Sequence, residues 1–210
     1  MPNSISGKHT ISDTNSLCYH YLNKVYYAVK QTIVNHQENA LYETYGEILY
    51  PSVSYLLTLI EPRVDDIFVD LGSGVGRLVV QVFLTTLVKQ AYGIEIVDSL
   101  HQQALLARQC LLDEVPDFFA NDRQLNFRLG SFLEIPLHAA TIAMVCSTCY
   151  SLDMTDALGH IINDTASIHT VLSLRPLSTL QRLAFRRAVH VECSWDSALC
   201  YLYTNRHRVT

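Results

Sequence analysis

The sequence predicts an α/β fold in which parallel strands alternate with helices, a C-terminal antiparallel hairpin closes the sheet, and a small helical annex precedes it. Three stretches carry this. Ile67-Phe68-Val69-Asp70 is an apolar run ending in an acid, and after Leu71 come Gly72, Gly74 and Gly76 at alternate positions. Buried parallel strands look like such runs, and glycines straight after one let the backbone turn sharply and a ligand approach it closely. About 25 residues past Asp70, Ala91-Tyr92-Gly93-Ile94-Glu95 is a second apolar run ending in an acid. Near the C-terminus, Val189-His190-Val191-Glu192 and Leu199-Cys200-Tyr201-Leu202-Tyr203 flank Ser194-Trp195-Asp196-Ser197 closely enough to pair as a hairpin. The first two strands, ending side by side, aim Gly72, Gly74 and Glu95 into one crevice.

Taken in order, residues 1–13 are polar and read as a flexible end. A helix begins near Asn15, with Leu22, Val25, Val29 and Ile33 at three- and four-residue spacing and Lys24, Lys30 and Gln31 on the other side. Such a helix covers rather than catalyses. The polar and aromatic stretch Tyr42 to Glu47 leads to Pro51, which opens a helix with a buried stripe of Val53, Leu56, Leu57 and Ile60; Glu61-Pro62 ends it. Residues 14–61 thus form a helical annex with a covering loop, and 62–210 the main domain. After the glycines, helical spacing resumes through Leu78, Val79, Val82 and Phe83. Asp98 is placed as the N-cap of a helix turning Leu105, Leu106, Ala107 and Leu111 towards the sheet. Pro116-Asp117 and Asn121-Asp122 mark a loop. Leu125 to Leu129 alternates as a third strand ending at Gly130-Ser131-Phe132, and the wholly apolar Ile142 to Val145 is a central fourth. A helix from Met154 to Ile162 and a strand from Ile168 to Leu174 precede the hairpin.

Of 210 residues 49% are hydrophobic and 17% charged, which permits a sizeable core, and the formal charge of −5 disfavours unspecific nucleic-acid binding. Arg175, Arg182, Arg186 and Arg187 are the candidates for a local basic patch, with a solvated helix face as the alternative. No signal-peptide pattern and no apolar run of about 20 residues is present, so the expectation is a soluble, intracellular protein without membrane contact. The six cysteines lack framework spacing and read as reduced core thiols. Cys146-Ser147-Thr148-Cys149 has no second pair to complete a zinc site, so no metal is expected; a redox pair is the alternative.

The crevice admits several ligands. A nicotinamide dinucleotide expects G-x-G-x-x-G with an acid about 20 residues on, but here the third glycine comes one residue early and Arg77 stands sixth. The Gly-Lys-Ser/Thr of a phosphate-binding loop is absent. A glycine-rich turn with no ligand is the plain alternative. The D-L-G-x-G-x-G form with its later acid resembles motif I of class I methyltransferases, whose cofactor S-adenosyl-L-methionine has ribose hydroxyls and no phosphates. The layout is then that of their Rossmann-like, seven-stranded sheet.

From about Tyr42 to Thr204 the chain resembles the Dot-one (disruptor of telomeric silencing) histone H3 lysine-79 methyltransferases. Their Tyr-Gly-Glu loop is matched by Tyr45-Gly46-Glu47, their Asp-Leu-Gly-Ser-Gly-Val-Gly by Asp70 to Gly76, and their Gly-x-Glu by Gly93-Ile94-Glu95. Phe132 is similar to the phenylalanine near the adenine, and Ser194-Trp195 with Cys200-Tyr201 to the segments walling the lysine channel. The resemblance implies cofactor contacts from Tyr45, Glu47, Asp70, Gly72, Ser73, Gly74, Gly76, Glu95, Ser131 and Phe132. It places Cys146, Trp195 and Tyr201 at the catalytic end, histone H3 in nucleosomes as partner, and the nucleus as location. One departure stands out: the family's Asn-Asn-Phe after the fourth strand is Cys146-Ser147-Thr148 here, and a thiol offers no amide oxygen. A divergent methyltransferase acting on another protein or small molecule, or an inactive cofactor-binding relative, is the alternative function.

Methyl transfer to lysine needs positioning and a neutral amine more than a catalytic base. Apolar aromatic walls favour that neutral form, which is the role expected of Trp195 and Tyr201; ordinary core packing is their alternative.

Overall fold

In a computed structural model that describes residues 11–36, 46–137 and 139–205, the elements run α1 (Ile11–His36), α2 (Tyr50–Ile60), β1 (Ile67–Leu71), α3 (Arg77–Thr85), β2 (Gln90–Glu95), α4 (Asp98–Glu114), β3 (Gln124–Leu129), β4 (Ile142–Val145), α5 (Leu152–Asp164), β5 (Thr170–Ser173), β6 (Phe185–Glu192) and β7 (Ser197–Thr204). The strands form one seven-stranded sheet ordered β3-β2-β1-β4-β5-β7-β6. Its first five strands in chain order are parallel; β7 runs antiparallel to β5, and β6 antiparallel to β7.

Strand alternation sorts the core into two layers. Phe68, Ala91, Leu125, Ile142, Met144 and Leu172 point to one side, where they pack with buried residues of α1 to α4. Val69, Leu71, Ile94, Ala143, Val145 and Val171 point to the other, where Leu158 and Ile162 of α5 cover them. Because β1 lies between β2 and β4, strand order reverses at the C-terminal ends of β1 and β4. Open α/β sheets form their ligand crevice at that point.

Some sequence expectations shift. The first helix starts at Ile11, four residues before Asn15. Asp98 is the first residue of α4, not its cap; Val97 holds the cap position without a side-chain bond. Leu105 and Leu106 are each 37% exposed, whereas Leu100, Ala104, Ala107 and Leu111 are buried. That three- and four-residue spacing is the face meeting the sheet, and the two leucines are rotated off it. Pro51 does sit in the first turn of α2, and all four residues of its expected stripe are buried. The hairpin is longer than expected because β6 begins at Phe185.

The four candidate arginines share no helix face: Arg175 and Arg182 serve turns, and Arg186 and Arg187 lie exposed on β6. Arg182 spends its guanidinium on the carbonyls of Ile162, Asn163, Thr165, Ala166 and Ile168. Arg175 donates to Tyr150 O at 2.7 Å and Arg186 to Thr204 O at 2.8 Å. None of the four lies on a helix, so the solvated-helix alternative fails.

Candidate functional site

β1 and β2 end level, with Asp70 beside Gly93 and Leu71 beside Ile94. The chain leaves β1 through a tight loop in which Gly72 N and Ser73 N both donate to Ile94 O, at 2.9 and 3.0 Å, and Gly76 N donates to Ser73 O at 2.8 Å. Gly72 has φ +89°, and a Cβ there would collide with the Tyr150 hydroxyl. No other residue fits that position.

Glu95 is buried, and its carboxylate ties the loop to the start of α4. Oε2 accepts from Gly74 N and Oε1 from Val97 N, each at 2.8 Å. Beside it Asp70 is 4% exposed, and neither its Oδ1 nor Ser73 Oγ has a hydrogen-bond partner. Burial, and secondarily the Glu95 charge, pushes the Asp70 carboxyl well above the usual carboxylate range. A buried carboxylate with an unpaired oxygen is unfavourable unless a cation or donor arrives. β1 therefore delivers a buried acceptor without a partner to the start of the loop.

A short segment closes the mouth. Ile48 bridges Cys193, Leu49 N donates to Glu192 O at 2.8 Å, and Ser194 N donates to Glu47 O at 2.8 Å. Ser194 Oγ accepts from Glu47 N at 3.1 Å, and the Trp195 ring lies where a Cβ on Gly46 would be. The Cys146 thiol donates to Gly46 O across 3.8 Å. Glu47 reaches Arg77 at 3.7 Å; burial raises its carboxyl pKa and Arg77 opposes that. Arg77 in turn donates to Asn23 Oδ1 at 2.6 Å and sits over the Tyr26 ring, whose hydroxyl donates to Val75 O at 2.9 Å. Helix α1 thus holds the glycine loop and, through Arg77, the Glu47 carboxylate.

On the far side of Glu95, its carbonyl accepts from Gly130 N at 2.8 Å, which places Ser131 and the half-buried Phe132 at the rim. Ser131 Oγ accepts from Leu133 N at 3.2 Å. Phe132 meets Tyr150 with ring centroids 5.5 Å apart. The Cys146 thiol is pushed up to about 12, by burial first and the Asp70 charge second, and so stays protonated. Among the described residues no cluster of three or more His, Cys, Asp or Glu side chains could hold a metal ion.

The structure thus brings Asp70, Gly72, Ser73, Gly74, Gly76 and Glu95 into one crevice, with Glu47 and Cys146 at its mouth and Phe132 at its rim. Tyr45 lies outside the described residues. Tyr201, paired with Ser173 at the end of β5, faces the α5 side of the sheet, where Phe132 and Tyr150 also pack, with Phe185 as ring neighbour at 6.3 Å. Trp195 packs on Gly46, so it clasps the mouth segment. Sequence reasoning missed Tyr150 and Tyr26. Tyr26 occupies a helix read only as a cover, and its contact lies 49 residues away, beyond any periodic signal.

Solved structures of low identity share the sheet. An RNA methyltransferase from Salinibacter ruber in complex with S-adenosyl-L-homocysteine matches with a TM-score of 0.53 at 23% identity, over 76% of this chain and 95% of that one. The methyltransferase domain of bacterial CtHen1 matches with a TM-score of 0.56 at 12% identity, over 74% and 96%. The fold is that of the class I methyltransferases. Two relatives are described as histone-lysine N-methyltransferases, H3 lysine-79 specific. The one from Gibberella zeae is 27% identical over 155 residues, or 70% of this chain and 31% of the relative. The one from Drosophila melanogaster is 37% identical over 86 residues, or 40% of this chain and 5% of the relative. The chain thus spans less than a third of the length of either. The family model described as "Histone methylation protein DOT1" matches residues 24–193. The chain belongs to the DOT1 family of histone methylation proteins.

Proposed function

We propose that this chain is an S-adenosylmethionine-dependent protein-lysine N-methyltransferase, with histone H3 lysine 79 in nucleosomes as its acceptor and chromatin in the nucleus as its place of work. The observation that carries the reading is the buried Asp70 carboxyl with its unpartnered Oδ1, set beside Glu95 on a glycine loop at the strand-order reversal.

The residues fit the cofactor. Asp70 and Glu47 would hold the ammonium of its amino-acid part, Gly74 leaves that part room while Gly72 admits the Tyr150 hydroxyl, and Ser73 Oγ is an unused polar group at the same turn. Glu95 keeps lone pairs on both oxygens for the ribose hydroxyls, and Phe132 offers an apolar ring to the adenine. Tyr45, Gly76 and Ser131 would complete the cradle. When bound, S-adenosylmethionine supplies an electrophilic methyl group on a sulfonium. The chain's own part is positional: it aligns acceptor and donor and excludes water. An approaching lysine starts near pKa 10.4 and must lose its proton, which apolar aromatic surroundings favour by penalising the charge. Trp195 and Tyr201 would supply those surroundings, and Cys146, held neutral, adds no charge to them.

The test is incubation with methyl-labelled S-adenosylmethionine and reconstituted nucleosomes, followed by mass spectrometry of each histone. Label on lysine 79 of histone H3 is the expected result. Label absent from nucleosomes but present on another protein or small molecule would overturn the histone assignment.

A further inference from the structure

Tyr150 lies outside every motif that identified the site, yet its side chain reaches both the glycine loop and Phe132. Its hydroxyl donates to Leu71 O at 3.0 Å, at the last residue of β1, and occupies the space that a Cβ on Gly72 would need. Its ring meets Phe132 at 5.5 Å. The backbone of Tyr150 is fixed as well: its N–H donates to Ser147 O at 3.1 Å, and its carbonyl accepts from Arg175 Nη1 at 2.7 Å. Ser147 is fully buried, with Oγ 3.2 Å from Ser173 Oγ of β5. A chain of contacts therefore runs from β5 through the loop after β4, across Tyr150, to the first glycine after β1 and the ring at the adenine rim.

We propose that Tyr150 is a positioning residue for the cofactor: its hydroxyl pins the Leu71-Gly72 peptide in the conformation that receives the amino-acid part, while its ring braces Phe132. The inference rests on the proposed cofactor reading. Its chemistry follows from the donor inventory. Leu71 is the end of β1, where Gly72 turns to positive φ and the chain leaves the sheet, and the Tyr150 phenol O–H is the side-chain donor to its carbonyl. With that donor removed and the ring kept, the peptide gains freedom to tilt while Phe132 stays braced. The amino-acid end and the adenosine end of the ligand should then respond differently.

Two probes separate those ends: S-adenosylhomocysteine, which carries both, and methylthioadenosine, which lacks the amino-acid part. Calorimetry on the full chain is expected to show Tyr150→Phe weakening S-adenosylhomocysteine about fivefold, as for one lost neutral hydrogen bond, and methylthioadenosine less than about twofold. Tyr150→Leu, which also removes the ring, is expected to weaken both, and Phe132→Leu to do the same. Thermal melts of each variant check folding. Equal loss for both probes in Tyr150→Phe would mean a merely structural role and overturn the proposal, as would unchanged affinity for both. Failure of the wild-type chain to bind either probe would instead sink the cofactor reading on which it rests.

Discussion

At the scale of single residues, the site consists of carboxylates that the fold buries at a cost. Asp70 keeps its proton longer in the folded chain than in the unfolded one, because burial and the Glu95 charge raise its pKa above the ordinary 3.8. Its contribution to stability is therefore complete below that value and is lost as pH rises through the folded value. In the ligand-free protein the Asp70 contribution should fall as pH climbs above about 4, so that the wild type loses melting temperature relative to a variant without this carboxyl. Asp70→Asn should flatten that slope, raise the neutral-pH melting temperature by a few degrees, and lower cofactor affinity about tenfold or more. Scanning fluorimetry across pH, with and without S-adenosylmethionine, reads all three. A variant that melts lower than wild type at neutral pH would contradict the burial argument. Asp70 and Glu95 were legible in the sequence because each ends an apolar run beside glycines. Tyr150 was not, because a half-buried tyrosine in an irregular loop carries no period, and only the folded chain brings it to Gly72.

At the scale of elements, α1 and the hairpin clamp the site from two sides, and here the sequence revealed less. Strand identity, parallel order and the central place of β4 follow from local runs of apolar residues. The docking of residues 46–49 onto the edge of β6 does not, because it pairs Ile48 with Cys193, far apart in the chain. It changes the expectation for Trp195. Read as a channel wall, Trp195 would affect turnover alone; packed on Gly46, it also holds the segment that presents Glu47. Trp195→Ala should therefore lower cofactor affinity about three- to tenfold while leaving the rest of the sheet intact, since truncating a half-exposed aromatic loses part of its packing. Calorimetry with S-adenosylhomocysteine checks this; unchanged affinity would return Trp195 to the channel. Of the four arginines that suggested a basic patch, carbonyl-rich turns around Asn163 and Tyr150 take up Arg182 and Arg175, whereas Arg186 and Arg187 stay exposed on β6.

At the scale of the molecule, a formal charge of −5 meets a proposed substrate wrapped in phosphate. Binding to such a surface scales with the number of Lys and Arg contacts and falls steeply with salt. Nucleosome methylation by this chain alone should therefore be weak, should drop about tenfold or more between low and physiological salt, and should recover when a basic segment is fused to it. Initial rates over a salt series measure this, and a rate indifferent to both salt and fusion would contradict the electrostatic account. Whatever the acceptor, the glycine loop, Asp70 and Glu95 are proposed to form an S-adenosylmethionine site. Titration calorimetry of the wild-type chain and of Glu95→Ala with that cofactor tests it most directly. One-to-one binding by the wild type, with a loss of about 2–3 kcal/mol in the variant, is expected for a carboxylate receiving two hydrogen bonds. No binding by the wild type, or equal affinity in the two proteins, would contradict it.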